Sequence, residues 1–266
     1  MRRLLWPSWH PLLVLLLFVG GTWIFWLPAA ALLRSEPGLA RTWHYAGGAM
    51  PLLMTLVCQS QLPRDARSRF WQQLVDHRRM VVSDWALALL LPVGLTAVAI
   101  LIDRMLGGPG ATPELASLAR QPLRLLGSAL FLLIFGPIPE ELAWRGYLLD
   151  PLESRMGRTA ANVTLGLVWL LWHLPLFGIE GSYQAGLGWG TTSFWLYMLD
   201  KVPLTIILAW VYWRAEHSTL AAVLLHWSVN LTGEMVALSQ RSEMILIASY
   251  WLLAAWIVRA WTRARS

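Results

Sequence analysis

Eight long apolar segments constrain the fold of this chain more than any other feature of its sequence. Each is close to the roughly 20 residues that a helix needs to cross about 30 Å of hydrocarbon. Charged residues make up 14% of the chain, against roughly 25% in soluble domains. Strands of a membrane barrel would instead alternate in polarity over about ten residues. The sequence therefore predicts an all-α, polytopic membrane bundle of about eight transmembrane helices. The predicted spans are 11–33, 43–61, 84–105, 122–149, 161–177, 193–213, 218–238 and 244–261.

The chain shows no internal repeat and no separate soluble region, so we expect residues 1–266 to form a single integral-membrane domain. The second predicted span is interrupted by Gly47, Gly48 and Pro51, and the fifth is short. The sequence therefore supports these two spans less strongly than the other six.

The basic residues lie mainly between the spans, so the sequence pI of about 10.1 reflects membrane orientation rather than nucleic-acid binding. With the N-terminus in the cytoplasm, fourteen of the 21 Lys and Arg residues fall inside and seven outside. This excess predicts that both termini are cytoplasmic. Residues 64–80 form a basic, amphipathic stretch in the longest cytoplasmic loop, which we expect to lie on anionic lipid. The excess of arginine over the single lysine indicates a prokaryotic plasma membrane.

An ionisable cluster follows the apolar run of the fourth span. Residues 136–146 read Gly-Pro-Ile-Pro-Glu-Glu-Leu-Ala-Trp-Arg-Gly. The two prolines fix φ and remove backbone donors, so the helix should break and restart just before Glu140 and Glu141. Arg145 lies one helical turn after Glu141 and can pair with it, while Glu140 points about 100° away. These residues could simply be a carboxylate pair at a helix N-terminus, where the helix dipole favours anions. Because charges are costly inside a membrane, we favour the interpretation that they form a functional site.

Two later spans carry His173 and His226, and Asn230 lies one turn beyond His226 on the same helix face. Counted from the cytoplasmic ends of their predicted spans, Glu140 and His226 lie about 12 Å deep and His173 about 18 Å deep. Three helices therefore bring these groups to one level in the cytoplasmic half of the membrane. Each needs a polar partner in lipid, and a shared cavity would supply it.

This set of side chains suits hydrolysis. Glu140 can deprotonate a water, and a histidine can share that water or protonate a leaving amine. His226 and Asn230 can donate to a developing oxyanion. Alternatively, Glu140, His173 and His226 are enough ligands for a catalytic zinc with one open position. No His-Glu-x-x-His run is present, and Asn230 gives His226 a second donor on its own face. We therefore favour the metal-free account, with zinc as the alternative cofactor.

At these residues the sequence resembles the CPBP intramembrane proteases, also called the Abi or type II CAAX prenyl endopeptidase family. Their motifs are Glu-Glu-x-x-x-Arg, Phe-x-x-x-His and His-x-x-x-Asn or Asp, and they match 140–145, 169–173 and 226–230 in this order. Trp144 and Trp169 stand where the family commonly has phenylalanine, and we expect these changes to alter packing rather than chemistry. The resemblance covers 137–230.

The resemblance implies an intramembrane endopeptidase acting near the cytoplasmic surface. By the resemblance, Glu140 and His173 would activate water. His226 and Asn230 would hold the oxyanion, and the pair Glu141 and Arg145 would support the site. The partners would be membrane lipids and a peptide or lipidated protein substrate, with no nucleic acid.

Two other functions are compatible with the same residues. A catalytically silent immunity or scaffold protein could share the fold, although every candidate catalytic residue is intact here. A proton-coupled carrier could use Glu140, Glu141 and His173 as a relay. Carriers often show inverted repeats and paired broken helices, whereas this chain has one broken helix and no repeat.

Overall fold

Helices account for nearly all of the regular structure. The computed structural model describes residues 11–32, 35–113 and 121–263. The α-helices are α1 (Pro11–Leu32), α2 (Pro37–Ser60), α3 (Arg64–Val75), α4 (Val82–Met105), α5 (Pro122–Phe135), α6 (Pro137–Glu141), α7 (Leu149–Met156), α8 (Arg158–His173), α9 (Tyr183–Leu187), α10 (Thr192–Leu199), α11 (Lys201–Arg214), α12 (Thr219–Met235) and α13 (Gln240–Arg263). A π-helical segment, Leu142–Leu148, joins α6 to α7, and 3-10 turns cover His77–Arg79 and Leu174–Gly178.

Six helical segments of the described chain are long and apolar enough to cross a membrane, which confirms an all-α, multi-pass membrane protein. They are Leu13–Leu32, Val82–Met105, Pro122–Met156, Arg158–Gly178, Thr192–Arg214 and Gln240–Arg263. The predicted spans 43–61 and 218–238 do form helices, α2 and α12, but they are not among the six. The helix α12 has only 17 residues, and α2 carries His44, Gln59 and two glycines. The predicted count of eight spans is therefore not confirmed.

A short antiparallel pair of strands, which the sequence analysis did not predict, joins two distant connections. β1 (Ala111–Pro113) pairs with β2 (Val236–Leu238), with Ala111 opposite Leu238. The carboxylate of Asp103 lies beside this pair and is fully buried. It accepts hydrogen bonds from the Gly110 amide at 2.8 Å and the Ser239 hydroxyl at 2.7 Å, and it pairs with Arg241. This cluster fastens the end of α4 to the start of α13.

The helices α8 and α11 pack closely at a glycine, and this contact positions the site described below. A Cβ atom on Gly166 would lie 2.8 Å from the Cα of Val202 and 3.3 Å from the Thr205 hydroxyl. A larger residue would therefore push the two helices apart. The fully buried Tyr212 and Leu208 of α11 and Leu165 of α8 belong to the same core.

The helix α3 lies against the π-helical segment through one buried residue. Phe70 is 5% exposed, and its ring would lie 3.2 Å from a Cβ on Gly146. The predicted amphipathic stretch 64–80 is thus an α-helix as far as Val75 and a 3-10 turn at His77–Arg79.

Five of the arginines used to predict orientation lie outside the described residues: Arg2, Arg3, Arg34, Arg120 and Arg265.

Candidate active site

The predicted helix break before the two glutamates is confirmed. The helix α5 ends at Phe135, and Gly136 has φ −118° and ψ −90°, outside the helical region. Pro137 then begins α6, where its missing N–H costs nothing because first-turn amides have no partner within the helix. The π-helical segment that follows was not predicted. Such segments are rare and occur frequently at functional sites.

Glu141 and Arg145 form the predicted ion pair, which is buried. Arg145 Nη1 lies 2.8 Å from Glu141 Oε1, with side-chain exposures of 1% and 0%. The same oxygen lies 2.8 Å from His226 Nδ1. This second contact was missed, because sequence spacing shows neighbours within a helix but not the rotation of α12 towards α6. Glu141 therefore orients both a cation and a candidate catalytic histidine.

Glu140 faces a different neighbour, as the helical spacing predicted. Its side chain is almost buried, with the residue 8% exposed. Its Oε2 accepts a 2.6 Å hydrogen bond from Trp169 Nε1. The indole thus gives Glu140 a hydrogen-bond donor that a phenyl ring lacks, a contact that the expectation of altered packing did not include. Trp144, by contrast, packs its ring near Phe18 and Trp172, at centroid distances of 6.3 and 6.1 Å.

The hydrogen bond made by His173 defines which of its nitrogens is free. Its Nδ1 lies 2.7 Å from the Trp169 carbonyl oxygen. A carbonyl only accepts, so Nδ1 carries the proton and donates. In the neutral imidazole, Nε2 then holds the lone pair and can accept a proton from water. His173 is 5% exposed and is the last residue of α8.

His226 is constrained in the same way by a stronger acceptor. Because Nδ1 donates to the Glu141 carboxylate, Nε2 is again the free nitrogen. Nε2 can donate to an oxyanion only when the ring is doubly protonated. The oxyanion role predicted for His226 therefore requires the doubly protonated ring, whose Nδ1 is held by Glu141.

Asn230 lies at the helix break, one turn beyond His226. Its amide nitrogen would be 3.5 Å from a Cβ on Gly136, and the residue is half-buried. The structure therefore brings Glu140, His173 and His226 around Trp169, and it places Asn230 at the adjacent Gly136. The ring centroid of Trp169 lies 5.5 Å from that of His173 and 5.3 Å from that of His226.

Lys201 belongs to this cluster, although the sequence analysis did not include it. It is 4% exposed and pairs with Asp200 at 2.5 Å. Its Nζ also lies 3.4 Å from the ring centroid of Tyr197 and 5.3 Å from that of Trp169. The available signal was an ionisable residue in the middle of the apolar segment Thr192–Arg214.

A zinc site would need three ligating side chains around one point. Within 11–32, 35–113 and 121–263, no group of three His, Cys, Asp or Glu residues is spaced to hold a metal ion. Glu140, His173 and His226 are therefore not arranged as a ligand set here, and the choice between the metal-free and the zinc account stays a prediction. Each histidine does have its Nδ1 fixed by an acceptor, a feature that is also common in metal ligands.

The helical bundle and its buried Glu, His, Arg and Lys side chains define a multi-pass membrane protein with an intramembrane polar site. Residues 122–232 match the family described as type II CAAX prenyl endopeptidase Rce1-like. This match confirms the resemblance predicted from the three motifs. The chain is also similar to the CAAX prenyl protease 2 of Methanococcus maripaludis, with 35% identity over 132 residues. The similarity covers 48% of this chain and 48% of that relative, so the match spans about half of each.

Proposed function

We propose that the protein is an intramembrane endopeptidase of the CAAX prenyl protease type, acting near the cytoplasmic membrane surface. The observation that carries this proposal is the gathering of Glu140, His173 and His226 around one buried indole. All three lie inside the segment that matches a prenyl endopeptidase family. The site offers a carboxylate and two imidazole nitrogens to one small volume, as peptide hydrolysis requires.

In the first step, Glu140 acts as the general base. Trp169 occupies Oε2, which leaves Oε1 to accept a proton from a bound water. The free Nε2 of His173 accepts the second hydrogen bond of that water and aligns it. The water oxygen then forms a bond to the scissile carbonyl carbon, its proton moves to Glu140, and the carbonyl oxygen becomes an oxyanion.

In the second step, the oxyanion is stabilised, and the tetrahedral intermediate then collapses as the carbonyl re-forms. His226, doubly protonated beside Glu141, donates from Nε2, and the Asn230 amide donates beside it. When the carbon–nitrogen bond breaks, the proton held by Glu140 passes to the leaving amine. Glu140 returns to its carboxylate form and the two peptide products separate.

The substrate in this proposal is a C-terminal tail held at the cytoplasmic surface by a lipid, or a membrane peptide without one. The similar archaeal protein is described as a prenyl protease, and a lipid-anchored tail lies at the membrane surface. We further propose that both termini are cytoplasmic and that the membrane is a prokaryotic plasma membrane. The distribution of Lys and Arg between the two sides of the membrane supports the orientation, and the excess of arginine over lysine supports the prokaryotic membrane.

The test compares wild-type protein with Glu140→Gln in liposomes that contain a prenylated C-terminal peptide. Cleavage is followed by mass spectrometry of both products. Loss of a general base typically costs about 10²–10⁴ in rate, so Glu140→Gln should show almost no turnover while remaining folded. The matched control is Glu234→Gln, an exposed glutamate two turns beyond His226, which should cleave at the wild-type rate.

Three results would contradict the proposal. Near wild-type cleavage by Glu140→Gln would show that Glu140 is not the base. A folded wild-type protein that cleaves neither prenylated nor unprenylated peptides would favour the silent scaffold. Proton flux through the same liposomes, abolished by Glu140→Gln, would favour the carrier.

A further inference from the structure

Trp169 occupies the centre of the polar cluster. Its side chain is 3% exposed, and its N–H donates to Glu140 Oε2 at 2.6 Å. Cations lie near its ring, with Arg145 Cζ 5.6 Å and Lys201 Nζ 5.3 Å from the centroid. Both distances fall within the roughly 6 Å over which a cation interacts with an aromatic ring. A residue so placed does more than fill space.

We propose that Trp169 is a positioning residue that holds the Glu140 carboxylate for proton abstraction. The indole N–H fixes one oxygen, favours the ionised form, and turns the other oxygen towards the reacting water. This inference rests on the proposed peptidase function, and it deepens that function by naming the group that prepares the base.

The argument depends on which other groups reach Glu140. Arg145 and His226 both bond to Glu141, and Lys201 bonds to Asp200. Among the described residues, the Trp169 N–H is the one group that donates a hydrogen bond to the Glu140 side chain. The charged or titratable groups that interact with Glu140 are Glu141 and Arg145 on its own helical segment, Tyr197 on α10, Lys201 on α11 and His226 on α12. His173 on α8 lies against the Trp169 ring.

The effect of the donor follows from the chemistry of a buried carboxylate. A hydrogen bond to an ionised group is shorter and stronger than one between neutral groups, and 2.6 Å is short for an N–H donor. A cation near the ring withdraws electron density and makes the N–H a better donor. When the donor is removed, ionisation of Glu140 should therefore require a higher pH.

The first measurement is the pH dependence of kcat for Trp169→Phe, which keeps an aromatic ring and removes the N–H. A hydrogen bond to a charged group contributes enough to move the acidic limb upward by about one to two pH units. The isosteric replacement of Trp169 by 3-benzothienylalanine removes the N–H without changing the ring shape. It should give the same shift even where phenylalanine packs poorly.

The matched control is Trp172→Phe. Trp172 lies on the same helix, is also 3% exposed, and donates its N–H to the Thr22 hydroxyl at 2.8 Å. This variant should lose comparable stability because it also loses one buried indole donor. Its acidic limb should stay at the wild-type position, because the lost donor does not reach Glu140.

A second measurement follows Glu140 without turnover. Infrared difference spectra against Glu140→Gln report the carboxyl band of Glu140 across a pH titration, and its midpoint should rise in Trp169→Phe. An unchanged midpoint and an unchanged acidic limb, or an equal shift in Trp172→Phe, would overturn the positioning role. A shifted midpoint in a protein that cleaves no peptide would support the Trp169–Glu140 coupling while refuting the peptidase function.

Discussion

Replacing Arg145 with alanine should lower the unfolding free energy strongly, because Arg145 forms a buried ion pair with Glu141. Removing Arg145 would leave Glu141, which is 0% exposed, without its cation. Breaking a buried ion pair from one side typically costs about 3–5 kcal/mol in unfolding free energy. His226 also contacts Glu141 Oε1 at 2.8 Å and keeps part of the compensation. We therefore expect a loss of about 3 kcal/mol, the lower end of that range.

The measurement is the unfolding free energy of Arg145→Ala and wild-type protein in mixed detergent micelles, followed by tryptophan fluorescence. The matched control is Arg69→Ala, because Arg69 pairs with Asp65 at the same helical spacing and at 3.0 Å. That pair is exposed, so water screens its charges and the variant should match wild-type stability. Equal effects of the two substitutions would refute the reasoning that burial makes the Arg145 pair important.

Two further predictions test the topology and the metal. Reporter fusions at Arg69 and at the C-terminus should be cytoplasmic and a fusion at Gly186 should be external, as the distribution of Lys and Arg requires; a cytoplasmic Gly186 would reverse the last spans. In the metal-free account, Asn230→Ala should slow cleavage by about 10²–10³ without abolishing it, and chelators should have no effect. Stoichiometric zinc that is lost in His173→Ala together with all activity would overturn that account.

The break at the glutamates illustrates what local sequence predicts well. Pro137 and Pro139 restrict the backbone on their own, so the restart of the helix required no knowledge of distant residues. The Glu141–Arg145 pair likewise follows from a spacing of one helical turn. The π-helical segment after Glu141 was not predicted, because no residue pattern in the sequence marks it; in the structure it packs against α2, α3 and α12.

The number of spans shows where a hydropathy pattern reaches its limit. Each predicted span contains a helix in the structure, although the span 218–238 ends in β2. The helices α2 and α12 are nevertheless too polar or too short to count among the six candidate membrane helices. A protein interior accepts such helices because neighbouring helices, rather than lipid, surround their polar groups. Sequence windows do not distinguish these two surroundings.

The membrane bundle, the broken helix and the three motifs could be predicted from the sequence, because each depends on residues close together in the chain. The contacts between the candidate groups could not, because they join residues far apart in the chain. Trp169 reaches Glu140 across 29 residues of chain, and His226 reaches Glu141 across 85. Lys201 joins the cluster because α11 packs closely on α8 at Gly166. Such contacts depend on the rotation and depth of each helix against its neighbours, and packing of the whole bundle sets both.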